Sequence, residues 1–484
     1  MSFSLNLKDN PALLTDFCQF GMAYGAMGGD IASSTACFDL VYRDIPDGGG
    51  FIVSAGLSQL IDYLRNLKFT DEDIEYLRST QGFGEDFLDY LKNFKFTCDV
   101  WAVPEGTPVF PFEPVITVRG PLAEAQFIEA ALLMIINHQS LVATKASRIV
   151  RAADGREVYE FGTKRAHGAG SAVYGARAAY IGGCTATSNV LASKEFGIPA
   201  FSTMTHSLVQ AFDTEYEAFK YYAEQFPNNC VLLVDTYSTV KSGVPNAIKV
   251  FDEVLKPMGV RPKGIRIDSG DITYLSKKAR RMLDEAGYAD CQITASNSIN
   301  EDIVRDMLIQ GAPVDSFAVG EQLITAASEP SLNGVYKLSA IEKDGELVPR
   351  IKISDNTGKI TTPGFKTVWR LFDREAGKAV ADVVTLDGEE IDQTAPYELF
   401  DPIHTWKRKT VDNFVARRLL QPIFVKGQCI YSSPTLPEIQ SYCRSQISSL
   451  WEEVTRFENP HHYYVDMSQK LWDLRQQLLT KFSK

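Results

Sequence analysis

The chain has 484 residues, 45% of them hydrophobic and 23% charged, with a net charge of −12. That length exceeds what one compact core holds, so two domains are expected. The acidic balance excludes a general nucleic-acid or anionic-membrane surface, though not a local anion pocket built from a few Arg and Lys.

The opening stretch MSFSLNLKDNPALL has no basic segment and no long apolar run of the kind a secretory signal needs. Residues 1–130 mix helical segments with strand-like runs such as FDLVYRDIP (38–46) and PVITVRGPL (114–122). The apolar stretch FIEAALLMII (127–136) holds a Glu and is too short to span a bilayer. The eight cysteines include no C-x-x-C spacing, and the six histidines form no H-E-x-x-H. A structural zinc site is therefore not expected, and a reduced, cytoplasmic protein is.

From about 155 to 330 one rhythm repeats. Short apolar runs, EVYEFG (157–162), AAYIGG (178–183), IPAFSTM (198–204), CVLLVDT (230–236), GIRIDSG (264–270), CQITASN (291–297) and DSFAVGE (315–321), alternate with helical segments. One such segment is LSKKARRMLDEAG (275–287), whose Leu275, Ala279, Met282 and Leu283 share a face. Alternating βα units imply a parallel sheet. HGAGSAVYG (167–175) lacks the full dinucleotide fingerprint, and no P-loop occurs. Seven units without a dinucleotide motif favour a closed or nearly closed α/β barrel over a doubly wound sheet. Polar residues gather just after each run, where barrel enzymes place their chemistry.

Beyond the barrel, residues 345–372 read as strands again. Thr435, Pro437 and Glu438 form a capping-box start, followed by an apolar face of Ile439, Cys443, Ile447, Leu450, Val454 and Phe457. A second helix covers 468–482.

Several constellations carry possible chemistry, each with a bland counterpart. His206 in STMTHSL is an acid/base, a phosphate acceptor or a hydrogen-bonded loop residue, with Thr203, Thr205 and Ser207 beside it. Phe161 is a core aromatic or a ring that stacks on a flat substrate, with Lys164 and Arg165 as cations for a carboxylate or phosphate. Lys366 and Arg370 follow the Pro-Gly turn of TTPGFKTVWR; they fit either phosphate binding or an exposed charged strand. In GIRIDSGD, Asp268 and Asp271 suit a turn, yet Arg266 two residues earlier is not needed for one. Paired carboxylates near cations suit Mg²⁺ bridging a substrate's phosphates. The residues thus describe an α/β-barrel enzyme for an anionic, phosphorylated substrate.

LLTDFCQFGMA (13–23), FDLVYRDIPDGGGF (38–51), EFGTKRAHG (160–168), TSNVLA (187–192), STMTHSL, GIRIDSGD, TPGFKTVWR and ENPHHYYVDMSQKLWDLRQQLL (458–479) together resemble the nicotinate phosphoribosyltransferase family over nearly the whole chain. The resemblance implies an irregular or incomplete α/β barrel at 141–335 beside an α+β domain formed by 1–140 and 336–484. It implies that nicotinate and phosphoribosyl pyrophosphate (PRPP) give nicotinate mononucleotide and pyrophosphate, with coupled ATP hydrolysis, in NAD salvage. Mg²⁺ assists, and a homodimer shares its active sites. Carried over by motif, His206 is the phosphorylated histidine. Thr203 and Arg266 contact nicotinate, and Phe161 stacks on it. Asp268 and Asp271 bind ribose hydroxyls or Mg²⁺; Arg43, Lys164, Arg165 and Lys366 hold phosphates. Asp16 reaches in from the neighbouring subunit. Four positions depart from the family pattern: Cys18 for Tyr, Lys164 for Arg, Glu321 for Thr and Ser298 for Asp. Phe17 and Phe20 are candidates to replace the ring missing at 18. The departures leave two alternatives: another base, such as nicotinamide, or a catalytically weakened homologue with a sensing or structural role.

Overall fold

A computed structural model describes residues 12–29 and 31–483. The chain forms two compact units, one of residues 142–330 and one of the segments before and after them, up to 141 and from 331. Most of the MSFSLNLKDNPALL stretch lies outside the described residues.

The middle unit is built on six parallel strands. Their spatial order is Ala186–Thr187, Glu157–Glu160, Ser316–Val319, Gln292–Ser296, Gly264–Ile267 and Val231–Leu233. The two outermost strands have no shared pairing, so the sheet curls into an open half barrel. Strand residues such as Leu232, Ile265, Ile267 and Ile293 are buried with Phe219 and Phe251 in one core. Burial on both faces is why these runs read as continuously apolar. Helix Ile272–Glu285 starts where Asp271 accepts a hydrogen bond from the Tyr274 N–H, and it buries Ala279 and Leu283 against the sheet.

Two of the seven expected strands are not strands. AAYIGG ends the helix Ala169–Ile181 and its cap. Its small residues serve close packing, since a Cβ at Gly182 would lie 2.4 Å from the Ala143 carbonyl oxygen. IPAFSTM contributes only an isolated bridge, Thr187 to Ala200. The sheet takes the two-residue strand Ala186–Thr187 instead.

In the other unit, a seven-stranded antiparallel sheet sets Thr35–Tyr42 between Ile116–Pro121 and Gly334–Lys343. A four-stranded sheet runs Phe414–Arg418, Lys366–Asp373, Ala379–Leu386, Tyr464–Met467. Between 345 and 372 only Glu346–Pro349 and Lys366–Asp373 are strands. Thr435 and Glu438 do form the capping box, but the helix ends at Ser448, so Leu450, Val454 and Phe457 lie beyond it. The hydroxyls of Ser445, Ser448 and Ser449 bond back to local carbonyls, and Lys378 caps the carbonyls of Ser448 and Leu450. Among the described residues, no helix is long and apolar enough to cross a membrane.

Candidate active site

Arg266 sits on strand Gly264–Ile267 near the carboxyl end of the half barrel. Three partners fix its guanidinium. Nε donates to Ser296 Oγ at 2.7 Å, Nη1 to Thr203 Oγ1 at 3.1 Å and Nη2 to Asp268 Oδ1 at 2.7 Å. Ser296 also donates to Asp268 Oδ1, closing a small network. The guanidinium carbon lies 5.4 Å from the centroid of the Phe161 ring, within cation–π range. A planar fork held this way is ready for a carboxylate.

Asp268 turns its other oxygen, Oδ2, toward His206, whose Nε2 is 3.7 Å away. The second imidazole nitrogen, Nδ1, lies 3.1 Å from Thr236 Oγ1, so the ring is held from behind and presented toward the carboxylate. The neighbouring Asp235 accepts from the Asp268 backbone N–H and from the Ser269 hydroxyl. One strand end thus anchors both the histidine and the Asp268 turn. Asp271 caps helix Ile272–Glu285 through Oδ1. At the adjacent strand end, Asn297 and Ser298 adopt φ of 88° and 27°, left-handed values that cost energy in residues with a Cβ. Strain of this kind collects at functional loops.

Phe161 follows strand Glu157–Glu160 and packs near Phe201, ring centroids 6.1 Å apart. Lys164 and Arg165 lie on the short turn Thr163–Arg165 and are exposed, as is Glu321 at the start of helix Glu321–Ile324. Sequence reasoning brought Phe161, Thr203, His206, Arg266 and Asp268 to the same region. It gave no roles to Asp235, Thr236 and Ser296, although all three stand in polar clusters after strands. It missed Glu160 altogether. That residue is 1% exposed and accepts hydrogen bonds from the Gly162 N–H and the Thr187 hydroxyl. Burial pushes its carboxyl up from the ordinary range, against the two hydrogen bonds.

The remaining expected site residues belong to the other unit. Asp16 is exposed at the start of helix Phe17–Gly28. Cys18 and Phe17 are exposed as well, Phe17 by 52%. Phe20 is not available as a stacking ring: it is buried among Phe69, Phe83 and Phe127. Arg43 and Lys366 line one pocket with Asp39, Lys337, Lys359 and Phe112. Lys366 is 2% exposed, and its ammonium donates to the carbonyls of Thr362 and Gly364 and pairs with Asp39 at 2.7 Å. Its hydrogens already have protein acceptors, so in this arrangement it organises the Pro-Gly turn. Arg370, four residues on, is neither exposed nor in that pocket; it is buried against Asp382.

Among the described residues, no cluster of three or more His, Cys, Asp or Glu could cage a metal ion. Of the rim carboxylates, Asp268 and Asp271 are the two that the sequence motif offers as ligands. That donor set fits Mg²⁺ only as it is commonly held, by one or two carboxylates with substrate phosphates and water completing the shell.

A hard anion-reading arginine, an aromatic face and a histidine–carboxylate pair on one rim suit a flat aromatic acid and a charged co-substrate. The comparisons with known proteins agree. The chain matches the nicotinate phosphoribosyltransferase N-terminal domain over residues 13–137, the nicotinate phosphoribosyltransferase family over 157–383 and its C-terminal domain over 365–475. It is 47% identical over 471 residues to the nicotinate phosphoribosyltransferase of Bacillus subtilis, covering 97% of this chain and 95% of that one. It is 38% identical to nicotinate phosphoribosyltransferase pncB2 of Mycobacterium tuberculosis, covering 94% and 90%. The crystal structure of human nicotinic acid phosphoribosyltransferase superposes with a TM-score of 0.86 at 28% identity, covering 96% of this chain and 99% of that chain. On motifs, half-barrel fold and relatives alike, the chain belongs to the nicotinate phosphoribosyltransferase family.

Proposed function

We propose that the protein is a nicotinate phosphoribosyltransferase of NAD salvage, joining nicotinate to PRPP with release of pyrophosphate. The observation that carries this reading is the guanidinium of Arg266, fixed by Ser296, Thr203 and Asp268 beside the Phe161 ring. Arg266 binds the nicotinate carboxylate and Phe161 lies against the pyridine. Breaking the ribosyl–pyrophosphate bond builds positive charge on the sugar and negative charge on the leaving group. Asp268 and Asp271 face the sugar, and Lys164, Arg165 and Arg43 take phosphate charge. Alternatively, Asp268 and Asp271 would hold Mg²⁺ in place of the ribose hydroxyls, and the ion would further neutralise the pyrophosphate.

ATP coupling rests on His206 in the same proposal. Thr236 holds Nδ1, which leaves Nε2 as the nitrogen to accept a phosphoryl group, with Asp268 beside it. A homodimer is supported by the helix Phe17–Gly28, whose start exposes Leu13, Leu14, Asp16 and Phe17. Such a face suits a second copy, with Asp16 contributing to its site. A cytoplasmic location belongs to this reading too.

The test is a mononucleotide-forming assay with PRPP and Mg²⁺, with and without ATP, against nicotinate, nicotinamide and quinolinate. Nicotinate alone should give product, faster with ATP. Product from nicotinamide but not nicotinate would overturn the base assignment. His206→Ala should abolish the ATP stimulation while leaving a slow ATP-independent rate; stimulation that survives removes the phosphohistidine. Sedimentation should report a dimer.

A further inference from the structure

We propose that Glu160, together with Thr187, is a positioning residue that holds the Phe161 ring for the base; this rests on the stacking role given to Phe161 above. Glu160 immediately precedes Phe161, and among the described residues it forms no ion pair. A buried carboxylate without a cation is unfavourable unless donors satisfy it. Two donors do, one on the turn after Phe161 and one at the end of strand Ala186–Thr187. One oxygen receives the Gly162 N–H, on the far side of Phe161. The other receives the Thr187 hydroxyl from the neighbouring strand end at 2.5 Å.

Thr187 passes the connection on, because its Oγ1 accepts the Asn189 N–H at 3.0 Å, and the Ser188 N–H donates to the Glu160 carbonyl at 2.9 Å. Two rim loops are therefore tied to one carboxylate. The backbone around Phe161 is pinned on its other sides. Its N–H donates to the Val319 carbonyl at 2.8 Å, and Gly162 has no room for a side chain, since a Cβ there would meet Ile324 Cβ at 2.4 Å. The backbone at residue 161 is thus held on both sides. What Glu160 adds is the direction of the turn after it, and that direction sets where the ring stands relative to Arg266. The turn also carries Lys164 and Arg165, because the Arg165 and Ala166 N–H groups bond to the Gly162 carbonyl.

The prediction separates base from PRPP. Phe161→Ala serves as the reference and should raise the KM for nicotinate about tenfold, the loss of one aromatic stack. Thr187→Val and Glu160→Gln should raise the same KM about three- to tenfold, with the PRPP KM changed less than about twofold and the melting temperature held within a few degrees. Thr187→Ser, which keeps the hydroxyl, should return the nicotinate KM to the wild-type value. Should Glu160→Gln fail to fold, the Thr187 pair decides. If Phe161→Ala raises the nicotinate KM while Thr187→Val and Glu160→Gln do not, the positioning role is wrong and the stacking role stands. If both KM values and the melting temperature move together, Glu160 is a packing residue only and the inference falls. If Phe161→Ala changes nothing, the stacking reading fails and the inference falls with it.

Discussion

Two of the molecule's arginine–aspartate pairs stand in opposite surroundings. Arg266 and Asp268 stand two residues apart at a strand end of the half barrel, with side chains 15% and 29% exposed. Arg370 and Asp382 face each other across adjacent antiparallel strands, both at 0%. In the buried pair, Nε and Nη2 both bond the carboxylate and Nη2 also reaches the Pro108 carbonyl, while Tyr463 donates to Asp382 and its ring stacks on Phe110 at 3.9 Å. In the rim pair, the carboxylate takes only one guanidinium nitrogen, and the others go to neutral hydroxyls. The same residue types therefore do opposite jobs. One pair is sealed in the core and serves the fold; the other is held open at a rim and serves a ligand.

The contrast can be broken in order of expected effect. Asp382→Ala strands a buried guanidinium and should cost about 3–5 kcal/mol of stability, read as a lower urea midpoint, with the activity of the folded fraction retained. Arg266→Ala should do the reverse. The kcat/KM for nicotinate should fall by the equivalent of about 2–4 kcal/mol, with the melting temperature nearly unchanged, and Arg266→Lys should recover only part, because an ammonium lacks the planar fork. A large stability loss in the rim variant, or an activity loss in the folded core variant, would erase the distinction.

The same four-stranded sheet, whose strand Tyr464–Met467 runs parallel to Ala379–Leu386, buries Asp466, whose carboxyl is pushed up to about 7 by burial and then by the charge of Asp401. The folded state holds this proton where the unfolded chain has lost it. Its stabilising contribution is thus full below the ordinary carboxylate range and is lost as pH rises to about 7. Across that window the slope is at most about 1.4 kcal/mol per pH unit. Asp466→Asn should flatten that part of the stability–pH curve, raising the melting temperature more at pH 8 than at pH 5; an unchanged curve would mean the group does not titrate there. The smallest effect concerns the exposed helix Phe17–Gly28. Cys18→Tyr should lower the KM for nicotinate by the equivalent of about 1 kcal/mol if the position supplies a stacking face, and an unchanged KM would show that it does not.

The parallel strands were legible because burial on both faces makes them apolar without interruption, and their polar ends marked the rim. Arg266, Asp268 and His206 were visible for that reason. AAYIGG misled because a run of small apolar residues fits a tightly packed helix end as well as a strand. The burial of both Lys366 and Arg370 could not be read from pattern, since alternation tells which residues share a face and not whether that face meets water or a buried carboxylate. Glu160 was hidden for a related reason. A Glu inside an aromatic run reads as an outward-facing residue, and the hydrogen bonds from Gly162 and the neighbouring strand's Thr187 reveal that it points inward.

The strand Thr35–Tyr42 lies between Ile116–Pro121 and Gly334–Lys343, and the whole half barrel is spelled out between those two partners. During synthesis its first neighbour arrives early and its second only after the barrel has left the ribosome. At about 5–20 residues per second that delay is roughly 15–60 s. Through that interval one edge of Thr35–Tyr42 lacks its native partner and is open to pairing with another nascent chain. The half barrel, local in the chain, can fold meanwhile. A discontinuous unit therefore places its period of greatest vulnerability to aggregation before the C-terminal segment emerges, and slower translation of the barrel would lengthen it.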